Sequence, residues 1–284
     1  MRLGTRASAL ALAQAELVAD HLVACGAASS VELVKITTSG DATTTGDKSR
    51  WVDTIQRALL DGDIDLAVHS AKDVPSDKEL PGELKIGAVL PRAEACDVLV
   101  GAPSLDALPA GARVGTASLR RRSQLLAERA DLEVVELRGN VPTRLDKLDR
   151  GDADAIVIAE AGLERLGLTD RIGARLDPAL FVPAPGQGTL VLEGRTLPEA
   201  ALDAGAGAAL AAERHVVAGI GASCETPVGA YDDGESLYTY AGAPDGSSFI
   251  RDRVIAATAA ERAAIALERL QLLGVHAIIG AGNE

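Results

Sequence analysis

Three groups of residues in this chain have types and spacings that could do chemistry. The first is a concentration of cations. Between Arg113 and Arg150 nine Lys/Arg stand against six Asp/Glu, a local +3 in a chain of formal charge −13, which leaves −16 for the remainder. A basic island in an acidic protein reads either as a solvated helix face or as a site for a small anion. Guanidinium groups suit the second role, because they grip carboxylates through two parallel hydrogen bonds. The second group is a pair of similar phrases, Arg2-Leu3-Gly4-Thr5-Arg6-Ala7-Ser8 and Arg113-Val114-Gly115-Thr116-Ala117-Ser118. Each reads as a short strand, a Gly-Thr turn and a serine that opens a helix. Taken singly this is turn and N-cap chemistry. Two such units with arginines beside them suggest helix N-termini offering free N–H groups to anions. The third group holds isolated reactive types: Lys72-Asp73 before Val74-Pro75, which alone reads as a loop ion pair, and Cys224 in Gly219-Ile220-Gly221-Ala222-Ser223-Cys224-Glu225-Thr226-Pro227. Glycines on one side and proline on the other make that last segment a loop that can display the sulfur.

The elements that must position these groups repeat as well. Leu60-Asp61-Gly62-Asp63-Ile64-Asp65-Leu66-Ala67-Val68 is echoed by Asp149-Arg150-Gly151-Asp152-Ala153-Asp154-Ala155-Ile156-Val157. Both read as a helix end, a glycine turn and a buried strand. The apolar runs Leu66–Val68 and Ala155–Ile158 suit parallel strands covered on both faces. Two similar α/β lobes follow, with ligands expected beyond the carboxyl ends of the strands. Pro183-Ala184-Pro185-Gly186-Gln187-Gly188 reads as a hinge or crossover. Beyond it the pattern predicts an alanine-rich helix from about Pro198 to Val217. Strands are expected near Thr226–Tyr231, Leu237–Ala243 and Phe249–Ala256, with an Asp245-Gly246 turn between the last two. A closing helix from about Ala259 to Leu273 completes a small α+β unit.

Composition excludes several classes. The net acidity argues against a nucleic-acid binder. Three cysteines, Cys25, Cys96 and Cys224, are odd in number and far apart, and four scattered histidines complete the set. Neither a disulfide framework nor a metal site is expected. No apolar signal core and no membrane-length run occurs, so a cytoplasmic protein without membrane contact is expected. Aromatics are only 2%, so Leu, Val, Ile and Ala must build the cores.

Seven phrases in order resemble those of the hydroxymethylbilane synthase (porphobilinogen deaminase) family. They are Leu3–Ser8, Ala67–Pro75, Val114–Arg121, Leu137–Leu145, Ala161–Gly167, Pro183–Gly188 and the Cys224 region. The resemblance covers essentially the whole chain. It implies an α/β fold of two type II periplasmic-binding-protein-like lobes plus a small α+β C-terminal domain. Residues 1–90 and 189–208 would form the first lobe, 94–185 the second and 209–284 the third unit. It also implies a dipyrromethane cofactor joined to Cys224 by a thioether. Four porphobilinogen molecules would be condensed on it with loss of ammonia, and water would release the linear product. Asp73 would stabilise the cations formed after ammonia leaves and could assist proton transfer. Arg6, Arg120, Arg121, Arg138, Arg144 and Arg165 would bind the acetate and propionate groups. Ser8, Lys48, Trp51, Lys72, Thr116, Ser118 and Gln187 would complete the site. Likeness also implies a monomer, with porphobilinogen and oligopyrrole intermediates as partners and hand-over of product to the next pathway enzyme.

The chain departs from the family pattern in places. Thr45-Gly46-Asp47-Lys48-Ser49-Arg50-Trp51 replaces a glycine-rich loop, with Lys48 standing for its lysine and Trp51 for its aromatic residue. Ala117-Ser118 stands where many members have two serines, and the Glu193–His215 connection is shorter than in some relatives. Two other classes share a bilobal design: a solute-binding protein or ligand-sensing domain, and a catalytically inactive relative that binds small anions. Neither needs a pyrrole on Cys224, so a colour reaction for pyrroles separates them from the enzyme.

Overall fold

A computed structural model describes residues 1–36, 48–75, 80–222 and 226–280, with the side chains of 48–51 left aside. The chain opens with β1 (Arg2–Arg6), α1 (Ala9–Ala24), β2 (Glu32–Ile36), α2 (Lys48–Asp61), β3 (Leu66–Ser70) and β4 (Lys85–Val89). It continues through β5 (Asp97–Val100), β6 (Arg113–Gly115), α3 (Leu119–Glu128), β7 (Glu133–Val135), α4 (Val141–Asp149), β8 (Ala155–Ala159), α5 (Glu160–Arg165) and β9 (Ala174–Arg175). It closes with β10 (Leu190–Gly194), α6 (Ala204–Gly219), β11 (Val228–Asp232), β12 (Ser236–Gly242), β13 (Phe249–Ile255), α7 (Ala259–Leu272) and α8 (Val275–Gly280). The mixed α/β class expected from the sequence is what the chain adopts.

Two five-stranded sheets share one plan. The first has the order β2-β1-β3-β10-β4 and the second β7-β6-β8-β5-β9. In each, the first three strands in sheet order are parallel and the strand in the fourth position is antiparallel. That fourth strand is exchanged. β5 follows β4 in the chain yet lies in the second sheet, and β10 follows β9 yet lies in the first. The two crossing segments run side by side, with Ala93 N donating to Gly188 O at 3.4 Å.

The repeat read in the sequence extends to individual bonds. Arg2 donates from its backbone N (2.6 Å) and a guanidinium nitrogen (2.7 Å) to Asp65. Arg113 does the same to Asp154, at 2.7 and 2.9 Å. Gly62 and Gly151, at φ +77° and +80°, make the matching turns that a side chain would strain. Ser8 and Ser118 cap α1 and α3. The all-apolar β8 is buried along its length, and its two faces enter separate cores. Ala155 and Val157 pack with Val114 and Leu125, while Ile156 and Ile158 pack with Leu137 and Leu163.

The third sheet is an antiparallel meander, β11-β12-β13, whose core of Leu237, Ala241, Val254, Ala266 and Leu270 is shared with α6 and α7. Its three strands and α7 fall within about two residues of the expected spans. The Asp245-Gly246 turn forms, with Gly246 at φ +71°. Three local expectations need correction. The alanine-rich helix begins at Ala204, not near Pro198, because Asp203 caps it through Ala206 N at 2.7 Å after a separate 3-10 turn at Glu199–Ala201. Gly219 ends that helix instead of starting a loop. A Cβ there would lie 2.5 Å from Leu267, so the glycine lets α6 and α7 approach closely. Lys48–Trp51, read as loop, form the first turn of α2. Among the described residues no helix is long and apolar enough to cross a membrane.

The crossing segments make a stability test. Gly188 has φ +87°, and a Cβ would sit 2.3 Å from Ala93 O. Gly188→Ala is expected to cost at least about 2 kcal/mol, combining left-handed strain with a backbone clash. Gly207, inside α6 with open space around it, is the control. Gly207→Ala should leave stability unchanged or raise it by about 0.5–1 kcal/mol. Urea unfolding of both variants measures the difference.

Candidate active site

The junction between the lobes is built on one buried carboxylate. Asp97 opens β5 with 0% exposure. Arg120 Nη1 lies 2.8 Å from its Oδ2. Arg121 donates to Oδ1 from Nε (3.1 Å) and Nη2 (2.8 Å), and Gln187 Nε2 donates to the same oxygen at 2.8 Å. Both arginines follow the Ser118 cap in the first turn of α3, just past β6, and this brings them under the start of β5. Their remaining bonds go to carbonyls: Arg120 to Val182 at 2.7 Å and Arg121 to Val157 at 3.1 Å. Burial alone would push the Asp97 carboxyl up. The charges and hydrogen bonds of the two guanidinium groups outweigh burial and hold it well below the usual carboxylate range. Arg120 and Arg121, expected as forks for a ligand's carboxylates, therefore have a carboxylate of the protein between them.

Lys72 and Asp73 lie in a 3-10 turn, Ala71–Asp73, directly after β3. Lys72 Nζ donates to Gln187 Oε1 at 3.3 Å. Gln187 is fully buried and also donates to Ala95 O at 2.6 Å. A polar chain thus runs from Lys72 in the first lobe through Gln187 in the crossing segment to Asp97 and Arg121 in the second. Asp73 is half-buried, and its negative charge acts on Arg144 of α4. Burial lowers the Arg144 guanidinium to about 10, the charges of Arg121 and Arg138 add to the effect, and Asp73 opposes it. The group remains cationic at neutral pH.

Arg144 donates from Nε to Gly139 O at 2.8 Å, and among the described residues its two terminal nitrogens have no protein acceptor. Arg165 donates from Nη2 to Gly188 O at 2.6 Å, and burial lowers its guanidinium too. Arg138 is exposed and donates from Nε to Glu136 at 2.5 Å. Each spends one nitrogen of its fork on the protein. Ser8 and Ser118 accept from Ala11 N and Arg121 N, and Thr116 accepts from Ser118 N. A capping hydroxyl used as an acceptor still has its hydrogen to donate. Arg6 ends β1, on the same strand-to-helix turn as Ser8. The side chains of Lys48 and Trp51, and all of Cys224, lie outside the described residues. The connection that carries Cys224 joins the end of α6 to the start of β11. Cys96 is buried, which pushes its thiol up to about 12 with Glu94 adding to the effect, and Cys25 is half-buried.

Several residues of the site escaped the sequence reading. Besides Asp97, Arg92 donates from Nε to Gln187 O at 2.8 Å and from Nη1 to Glu213 of α6 at 2.5 Å. Glu213 in turn accepts from Gly186 N at 2.6 Å and Asp232 N at 2.8 Å. Burial raises the Glu213 carboxyl, against the opposing charge of Arg92. His69 Nε2 lies 2.9 Å from the fully buried Glu193, whose other oxygen accepts from Gln56 of α2 at 2.7 Å. The available signal was a charge set inside an apolar stretch, as at Asp97 before Val98-Leu99-Val100 or Glu213 in an alanine helix. Such a charge demands a partner, but its position does not say which.

A family model described as "Porphobilinogen deaminase, dipyromethane cofactor binding domain" matches residues 1–203. A porphobilinogen deaminase from Bordetella parapertussis is 49% identical over 270 residues, covering 88% of this chain and 85% of its own. One from a Roseiflexus species is 47% identical, covering 80% of each chain. One from Xanthomonas oryzae pv. oryzae is 46% identical, covering 84% and 83%. Among solved structures, an ABC-transporter periplasmic substrate-binding protein from Coxiella burnetii aligns with a TM-score of 0.41 and 17% identity, over 68% of this chain and 83% of that one.

The Asp97 cluster makes a signed pH prediction. Its folded-state carboxyl titrates below its unfolded value. The stability it contributes is complete above the ordinary carboxylate range, about pH 4, and is lost as pH falls toward the folded value. Asp97→Asn leaves two buried guanidinium groups without their counter-charge and should cost about 3–5 kcal/mol at pH 7. The gap to the unsubstituted protein should narrow as pH is taken below about 4. Denaturant unfolding of both proteins at a series of pH values checks this, and a gap independent of pH would contradict it.

Proposed function

The chain belongs to the porphobilinogen deaminase family, and from that premise we propose that Asp73, Lys72 and the arginines of the cleft carry the reaction. The activity is that of a hydroxymethylbilane synthase, a transferase of tetrapyrrole synthesis. It condenses four porphobilinogen molecules head to tail with loss of ammonia, and its cofactor is dipyrromethane. In our reading Cys224 holds that cofactor through a thioether. The opposition of Asp73 and Arg144 carries the assignment of roles. The carboxylate of the turn after β3 favours the charged form of a guanidinium of α4 whose terminal nitrogens lack acceptors among the described residues.

The cleft fits the cofactor's chemistry. Dipyrromethane carries acetate and propionate groups on two pyrrole rings. Arg144, Arg165 and Arg138 each keep donors beyond the one bonded to the protein, the surplus that bidentate carboxylate binding requires. When bound, the group supplies the free pyrrole carbon on which the chain of rings is extended. Lys72, tethered to Gln187, adds a further cation.

This much positive charge creates a difficulty that Asp73 answers. Loss of ammonia makes the incoming porphobilinogen cationic, and a cleft lined with guanidinium groups disfavours a cation. A fixed carboxylate at that point lowers the energy of the developing charge. Its oxygens can accept a pyrrole N–H and hold a proton as the new carbon–carbon bond forms. The arginines bind carboxylates and orient the rings, and the Asp97 cluster keeps the two lobes in register while they do so.

Two measurements test the reading. Intact-mass spectrometry should show the protein heavier than its sequence by two porphobilinogen units less two ammonias. Cys224→Ser should lack the increment, and Cys25→Ser and Cys96→Ser should keep it, because a thiolate is the competent nucleophile and the other two thiols are buried or half-buried. An increment that stays in Cys224→Ser overturns the attachment site. Asp73→Asn should fold and carry the cofactor, yet turn over at least about a hundredfold slower, the size of effect known for losing one preorganised charge-stabilising group. A variant keeping more than about a tenth of the turnover would remove Asp73 from this role.

A further inference from the structure

Helix α6 reaches the segment behind Asp73 through one side chain. Arg214 Nη1 donates to Val74 O at 3.0 Å and Nη2 donates to Pro75 O at 2.7 Å. These are the two peptide carbonyls that follow Asp73. The Val74 side chain is buried with Ala71, Val191 and Leu210, the last from α6, which leaves the backbone polar groups of the stretch to be satisfied. The Val74 N–H closes the 3-10 turn onto Ala71 O at 3.2 Å, and Pro75 has no N–H to give. A planar fork that takes two successive carbonyls fixes the direction in which the chain leaves the turn, and with it the orientation of the turn's last side chain, Asp73. The helix that carries the fork is itself anchored one residue earlier, where Glu213 binds Arg92 and the Gly186 N–H of the crossing segment. The far end of the same helix leads into the connection that bears Cys224.

We propose that Arg214 is a positioning residue for the reaction, holding the Asp73 carboxylate in place relative to α6. It rests on the role assigned to Asp73 above. Arg214 acts through the backbone at Val74 and Pro75 and has no contact with substrate in this role. A small error in the placement of a charge-stabilising group is costly, so the effect should fall on the chemical step and not on binding.

The experiment uses four cofactor-loaded enzymes: Arg214→Leu, Arg214→Lys, Asp73→Asn and the double variant Asp73→Asn/Arg214→Leu. Intact mass first establishes that each carries the full increment, a readout independent of turnover. Arg214→Leu should lower kcat by about ten- to a hundredfold with KM changed by less than about twofold. Arg214→Lys, able to reach one carbonyl at a time, should recover part of the loss. In the Asp73→Asn background the leucine should cost less than about twofold more, because both changes remove the same contribution. An unchanged kcat in Arg214→Leu, a loss confined to KM, or the whole loss repeated on top of Asp73→Asn would each overturn the proposal. If Arg214→Leu fails to fold, Arg214→Gln takes its place in the same comparison. An active Asp73→Asn enzyme overturns the role of Asp73 and this proposal together. That outcome is visible in the single variant alone, so the two failures are told apart.

Discussion

Asp97 is the point on which both lobes and their junction turn. It begins the strand by which the chain first leaves the first sheet, and its partners come from the helix that opens the second lobe and from the segment that returns. A carboxylate taken fully out of water tolerates the interior only when it is paired and hydrogen-bonded. Here two guanidinium groups and an amide converge on it. Because those partners lie on separate stretches of chain, satisfying one charge fixes where β5, α3 and the 183–189 segment sit relative to one another. Gln187 then passes that placement to Lys72, beside Asp73. The turn that holds Asp73 follows a strand of the first sheet, but its Lys72 is tied through Gln187 to the second.

The third unit breaks the pairing of the two similar lobes. It is held to the second lobe by Tyr240, which donates to Ser123 at 2.7 Å while Ser123 donates to Ala243 O at 2.6 Å. Arg251 and Glu128 add an ion pair at 2.6 Å. It is held to the first lobe through α6, which packs on β4 and carries Arg214. In a chain with so few aromatic rings, Tyr240, the largest fully buried side chain among the described residues, stands at a boundary between units and not in the middle of one. A phenol can fill apolar space there and still satisfy its hydroxyl.

Much of the fold was legible because its signals are local. Glycine turns at Gly62 and Gly151, serine caps at Ser8 and Ser118, and unbroken apolar runs at β3 and β8 declare two like lobes without reference to anything distant. The third unit's strands show in the same way. The start of α6 was misplaced because Pro198 is a good first residue for a helix, while the competing Asp203 cap wins by satisfying an N–H three residues on. The site was legible mainly through resemblance. Nothing in the neighbourhood of Asp73 or Arg144 announces that the charge of one acts on the other. The resemblance implies ligand forks at Arg120 and Arg121, but a sequence shows a donor without its acceptor, and Asp97, which both hold, lies more than twenty residues earlier. Glu213 and Arg214, adjacent in one helix, hold different stretches of chain: Glu213 the crossing segments through Arg92 and Gly186, Arg214 the segment after β3.

That crossing also sets an order of events during synthesis. β10 lies between β3 and β4 in the first sheet, yet it is made last of the five, ending at Gly194 where β4 ends at Val89. About a hundred residues separate the two, which at roughly 5–20 residues per second amounts to about 5–20 seconds of elongation. Through that interval β3 and β4 each have an edge with its backbone groups unpaired, the kind of surface that recruits other strands. Meanwhile the second sheet has all five of its strands as soon as β9 emerges. The nascent chain therefore completes its middle before its beginning, and the segment after β3, which holds Asp73, is secured only when the ribosome has passed both.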